Sequence, residues 1–264
     1  VEAISVMDTA LDHLPDGLDR DRVVHDLAAV CTIAARRLDR PTLDRGEPPQ
    51  QESVDLWQRA IRYWVQLGSS PAYWADLAKQ VLELDDPRLA PADVDTLRAS
   101  LHSVAAGLPA GYARDALVAG QPLRARAFID LLLGAPVNDG ARRDALSEAL
   151  APLIDEASTI ASQAKDTAKD ADPRTLLEEF QATLKLVHDL QGKLADAAPD
   201  AVPQVADARD DLALGLVGFF ENLHDRAGEL RASRAALAEA AAVAGSEGLR
   251  AELEGKVARM EGRR

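Results

Sequence analysis

Apolar positions along the chain recur at spacings of three and four, the period of a helix with one face turned inward. Between Asp19 and Leu38 the stripe is Val23, Leu27, Val30, Cys31, Ala34 and Leu38, and Pro41 with the turn-rich segment 44–50 breaks it. A second stripe, Val54, Trp57, Ile61, Trp64 and Val65, ends at Gly68. Ser70-Pro71 then opens a helix, because serine can cap free amides and proline is pre-set for the first helical position. That helix carries Trp74, Leu77, Val81 and Leu84 and stops at Asp85-Asp86-Pro87. The next stripe, Val94, Leu97, Leu101 and Val104, closes at Gly107 and Pro109, with two shorter helices predicted at 112–118 and 122–133.

The second half reads as longer helices. Arg142–Ala164 places Leu146, Leu150, Leu153, Ala157 and Ile160 in register, and Pro152 inside it predicts a kink or a break. The polar stretch 165–173 reads as a linker. Arg174–Ala197 repeats the pattern through Leu177, Phe180, Leu184, Val187 and Leu194, and a further helix carries Val205, Leu212, Leu216, Phe219 and Leu223. Gly245 separates two last helices, 229–244 and 246–260. The expected fold is all-α, an irregular repeat or bundle of about twelve antiparallel helices joined by short connections. The expected organisation is an N-terminal region, 1–140, with an aromatic cluster, and a C-terminal long-helix region, 141–264.

Composition agrees with this pattern. Hydrophobic residues are 47% of the chain but aromatics only 4%, so helices would pack closely through Ala and Leu. The net charge of −14, from 44 acidic and 30 basic side chains, repels phosphates and anionic lipid, which argues against nucleic acid or a membrane surface as a generic partner. Arg36, Arg37 and Arg40 form one small basic cluster, read as a solvated helix end. With no apolar run of the roughly 18 residues that span a bilayer, and no signal peptide, the expected compartment is the cytoplasm. The single cysteine, Cys31, excludes a disulfide framework and reads as a small core hydrophobe. A first residue Val1 in place of Met points to a processed protein or a fragment, and heavy use of Arg over Lys and Asn looks like a high-GC bacterial genome.

Between Asp211 and Glu254, the helix–turn–helix with small residues Ala213, Ala227, Ala236 and Ala240 resembles the tetratricopeptide-repeat (TPR) family. The region Trp57…Trp64…Ser70-Pro71…Tyr73-Trp74 is similar to segments of bacterial helical-repeat proteins, some of which accompany chaperone or signalling machinery. The resemblance implies a groove that binds a protein or peptide partner.

All three tryptophans and two of the three tyrosines lie between Trp57 and Trp74. Tyr63 and Tyr73 sit beside the inward stripe, so their hydroxyl ends are candidates for a partner-binding edge. Histidine precedes aspartate at His25-Asp26, His188-Asp189 and His224-Asp225, a pairing that resembles the signature of HD-domain metal-dependent phosphohydrolases. That chemistry needs further ligands, and the one histidine upstream of His25, His13, completes no convincing set. Phosphate-loop, HExxH and GxSxG motifs are absent from the sequence, and Glu221-x-x-His224 has no matching half for a di-iron site. The charged runs Asp207–Asp211 and Lys165–Asp172 read as solvated helix ends and linker. The leading expectation is a non-catalytic scaffold or regulatory module in a larger bacterial assembly, binding a protein or peptide and using no cofactor. One alternative is a phosphohydrolase built on His25 and Asp26. The other is a homo-oligomer held by the long helices.

Overall fold

A computed structural model describes residues 2–84 and 90–261, and all regular structure among them is helical. The order is α1 (Glu2–His13), α2 (Leu18–Leu43), α3 (Gln51–Gly68), α4 (Pro71–Leu84), α5 (Pro91–Val118), α6 (Pro122–Gly134), α7 (Asp139–Asp170), α8 (Leu176–Ala197), α9 (Pro203–Asp225), α10 (Leu230–Val243) and α11 (Glu247–Glu261). The break expected at Asp85-Asp86-Pro87 lies outside the described residues.

Among the described residues there are eleven helices rather than about twelve, and the difference comes from prolines. α2 runs through Pro41 to Leu43, and α5 runs through Gly107 and Pro109, joining what the pattern divided. α7 runs through Pro152 and takes in the polar Lys165–Asp170 as its last turns, so that stretch is helix and not linker. Proline removes one amide and crowds one carbonyl, but its fixed φ is helical, so packing on either side can carry a helix past it.

The chain divides into two compact units, Val1–Ala149 and Leu150–Arg264, and the division falls within α7. In the first unit α2 packs along α3, and α5 packs against α3, α4 and α6. The buried stripe of α2 is Val24, Leu27, Ala28, Cys31, Ala35, Asp39 and Thr42, one step round from the expected one. Val23, Val30, Ala34 and Leu38 are half-buried on the flank, because α2 has apolar residues over more than one face. Trp57 and Ile61 of α3 are buried as their spacing predicts, whereas Trp64 is half-buried.

In the second unit α9 packs against α8 and α10, and α10 against α11. Ala213, Ala236 and Ala240 are fully buried there. At Gly215 an added Cβ would stand 3.0 Å from the Cα of Ala161 on α7, so these two backbones are close together. The run Asp207–Asp211 lies inside α9, and part of it is engaged. Asp210 accepts the amides of Gly245 and Ser246 at 2.8 and 2.9 Å, and Arg209 donates to the carbonyl of Val243 at 3.0 Å. Arg226, just past α9, donates to the carbonyls of Ala168 and Ala171 at 3.1 and 2.7 Å, neutralising the negative end of α7.

Candidate functional site

The site takes shape where α4 meets α2 in the first unit. Ser70 caps α4, its Oγ accepting the amide of Tyr73 at 3.2 Å while donating to Asp21 on α2. Arg22 of α2 pairs with Asp76 of α4 at 3.0 Å. The indole of Trp74 donates to the carbonyl of Leu67 at 2.8 Å, which closes the end of α3 onto α4. These contacts fix the aromatic side chains of α3 and α4 against α2.

Between the four helices lies an apolar groove with a cavity of about 330 Å³, within the usual size of small-ligand and anchor-residue pockets. His25 and Thr32 of α2 and Trp64 of α3 form one wall, with Tyr73, Trp74 and Leu77 of α4 beside them. The His25 ring stacks on Tyr73 at 5.9 Å between centroids and meets Trp64 edge-on at 5.5 Å. The opposite wall is α5, whose apolar stripe leaves the core at this point. Val94 and Leu101 are buried, but Leu97, Val104 and Leu108 are 43%, 48% and 41% exposed. Single exposed apolar residues are ordinary on a protein surface; here three lie in a row facing an aromatic wall and form an exposed apolar patch.

Polar groups in the groove are few. Thr32 donates to the carbonyl of Ala28 at 2.8 Å and receives the Trp64 indole at 3.4 Å. The Tyr73 hydroxyl has no hydrogen-bond partner among the described residues, and burial, with Asp26 and Asp76 nearby, pushes its pKa up. It is therefore a neutral donor at the groove, suited to a carbonyl or carboxylate. The chemistry on offer is apolar burial, ring stacking and one or two orienting hydrogen bonds.

The two tyrosines singled out from the sequence do not share a surface. Tyr73 is part of the groove, while Tyr63 is half-buried and donates to Asp8 of α1 at 2.7 Å, so its hydroxyl holds the chain's own first helix. His25 Nδ1 lies 3.2 Å from Asp26 Oδ1, a contact within the dipeptide, and His224 and Asp225 repeat it at 2.7 Å. Among the described residues no three His, Cys, Asp or Glu side chains come together in a way that would hold a metal ion. Cys31 is buried in the core, and desolvation pushes its thiol up to about 11.

A buried ionic cluster that no local pattern in the sequence marks lies next to this region. Arg124 of α6 is 1% exposed and pairs with Asp39 of α2, itself 3% exposed. Its other terminal nitrogen donates to the Glu47 carbonyl at 2.6 Å and to Thr42 Oγ1 at 3.3 Å, and the guanidinium lies 5.7 Å from the Phe128 ring centre. Desolvation pushes the Asp39 carboxyl upward against the opposing pull of Arg124 and Thr42. The cluster ties the end of α2 to α6 and so fixes the helix that supplies His25 and Thr32.

No protein-family model, curated protein or solved structure was found to match the chain. No described helix is long and apolar enough to cross a membrane.

Proposed function

We propose that this chain is a non-catalytic interaction module whose N-terminal unit holds an apolar segment of a protein partner in the α2–α5 groove. The observation that carries the reading is the departure of the α5 stripe from the core, which leaves Leu97, Val104 and Leu108 facing the aromatic wall. Burying one leucine-sized anchor there would contribute about 1.5–3 kcal/mol. Two or three anchors spaced along a helix thus give weak binding that further contacts must strengthen to reach micromolar affinity, about 8 kcal/mol. The buried small residues Ala213 of α9 and Ala236 and Ala240 of α10, on which the sequence resembles the TPR family, are in keeping with a helical-repeat scaffold. Of the two tyrosines, Tyr73 lines the groove and Tyr63 is bonded to Asp8, which supports a partner contact at Tyr73.

The test is a selection of displayed helical peptides on the wild-type chain, with a Val104→Glu/Leu108→Glu variant as counter-target. Both residues are solvent-exposed in part, so the variant should stay folded. Peptides with apolar anchors should enrich on wild type alone, and their binding should shift the fluorescence of Trp64 and Trp74. Equal enrichment on both proteins would overturn the reading.

A further inference from the structure

A second recess, of about 520 Å³, lies on the C-terminal half of α2, with Ile33, Arg36, Arg37, Arg40 and Leu43 facing Tyr112 of α5. It begins where the aromatic groove ends. Thr32 borders the groove and Ile33 the recess, while on α5 Leu108 borders the groove and Tyr112, one turn on, the recess. Together they form consecutive stretches of one track between α2 and α5. From His25 to Leu43 it spans about 27 Å at 1.5 Å per residue, the length of five helical turns.

Charge divides this track. Arg36, Arg37 and Arg40 are exposed and make no ion pair within 4.0 Å among the described residues, although Arg22, Arg45 and Arg114 all find carboxylates. Two carboxylates line the recess. Asp39 is paired with Arg124, which leaves Asp44, itself facing Arg45, to oppose three guanidinium groups. Ile33 and Leu43, 52% and 44% exposed, are interleaved with the arginines. Cations around apolar anchors, on a chain of net charge −14, complement an acidic amphipathic segment. The remaining acidic surface repels such a segment, which confines it to this track.

We infer that the groove's partner is an acidic amphipathic helix that lies between α2 and α5, its apolar face in the aromatic groove and its carboxylates on Arg36, Arg37 and Arg40. This rests on the groove reading above, and the two can fail separately. The probes are three labelled helical peptides of about 18 residues, matched to the length of the track. They share one Leu/Trp face and carry Glu, Gln or Lys on the polar face. Anisotropy with the full chain at low salt should show the Glu peptide binding about tenfold tighter than the Gln peptide, the sum of three exposed pairs, and the Lys peptide weakest.

That preference should shrink with added salt. It should vanish in Arg36→Glu/Arg37→Glu/Arg40→Glu, whose fold is checked by circular dichroism, with the Gln peptide still bound. A Glu peptide no tighter than Gln, or a preference that survives the triple variant, overturns the inference and leaves the groove standing. Failure of all three peptides overturns both. Two other outcomes also overturn it by giving the arginines a different occupant. One is a wild-type dimer that the triple variant dissociates; the other is a mixed-sequence oligonucleotide that displaces the Glu peptide.

Discussion

Arg124 is almost inaccessible to water, and its guanidinium is engaged by Asp39, Thr42 and the Glu47 carbonyl. Replacing it with methionine, which keeps much of the volume, strands the Asp39 carboxylate in the interior. We expect a loss of about 3–5 kcal/mol in a urea titration at neutral pH. The folded pKa of Asp39 is raised above its unfolded value. Stability linked to its neutral form is therefore fully present below the unfolded value and is lost as pH rises through the folded one. Removing Arg124 moves the folded value further up, so the penalty should be smaller in mild acid than at neutral pH. A pH-independent penalty would mean that the carboxylate is not the source.

Two tryptophans offer a finer contrast at the same scale. The Trp57 indole nitrogen is buried without a hydrogen-bond partner among the described residues, whereas that of Trp74 donates to Leu67. Trp57→Phe should therefore spare a hydrogen bond that Trp74→Phe loses, leaving the second variant less stable by about 1 kcal/mol after allowance for volume. Cys31 should be inert to a thiol reagent near pH 8 in the folded protein and react on unfolding, since burial holds it protonated. Its core position was legible from the apolar neighbours. The role of Arg124 was not, because in the run Leu123-Arg124-Ala125-Arg126 nothing local separates the buried arginine from the half-buried one. The difference is made by Asp39, 85 residues earlier.

At the scale of elements, periodicity located the helices well, and the errors cluster at proline and glycine. Pro41, Pro109 and Pro152 read as breaks because each forfeits a hydrogen bond, yet each lies inside a continuous helix. What outweighs the lost bond is burial contributed by partners distant in sequence, as at Pro109, whose neighbours Ala106, Ala110 and Ala113 are all buried. Gly245 read only as a separator. In the fold an added Cβ there would stand 2.3 Å from the carbonyl oxygen and 2.5 Å from the Cα of Ala206, so the absence of a side chain is what lets the α10–α11 turn meet α9. Gly245→Ala should destabilise by about 1–3 kcal/mol by displacing backbone. Gly248→Ala, where nothing lies within 4 Å, should be neutral or slightly stabilising. Equal urea midpoints for the two variants would refute the close approach. The groove was half legible: the aromatic residues announced it, but the outward turn of Leu97 and Val104 depends on where α4 lies against α5.

For the whole molecule, an excess of 14 negative charges sets the background against which local contacts act. Most ion pairs here are on the surface, where each contributes little and salt weakens it, while salt also screens the general repulsion. We expect repulsion to dominate, so the thermal midpoint should rise by about 1–3 °C as salt increases from about 20 to 200 mM. A falling midpoint would show that the ion pairs matter more than the excess charge.

Pro152 has a consequence in time. It supplies no amide to the carbonyl of Glu148, at the place in α7 where one compact unit gives way to the next. Helical amides exchange with solvent in blocks that open together, and a block is bounded where the chain of hydrogen bonds is cut. Deuterium should therefore enter α7 at two rates, one before Pro152 and one after it, each matching the helices that half packs against. A single continuous helix would then keep two clocks.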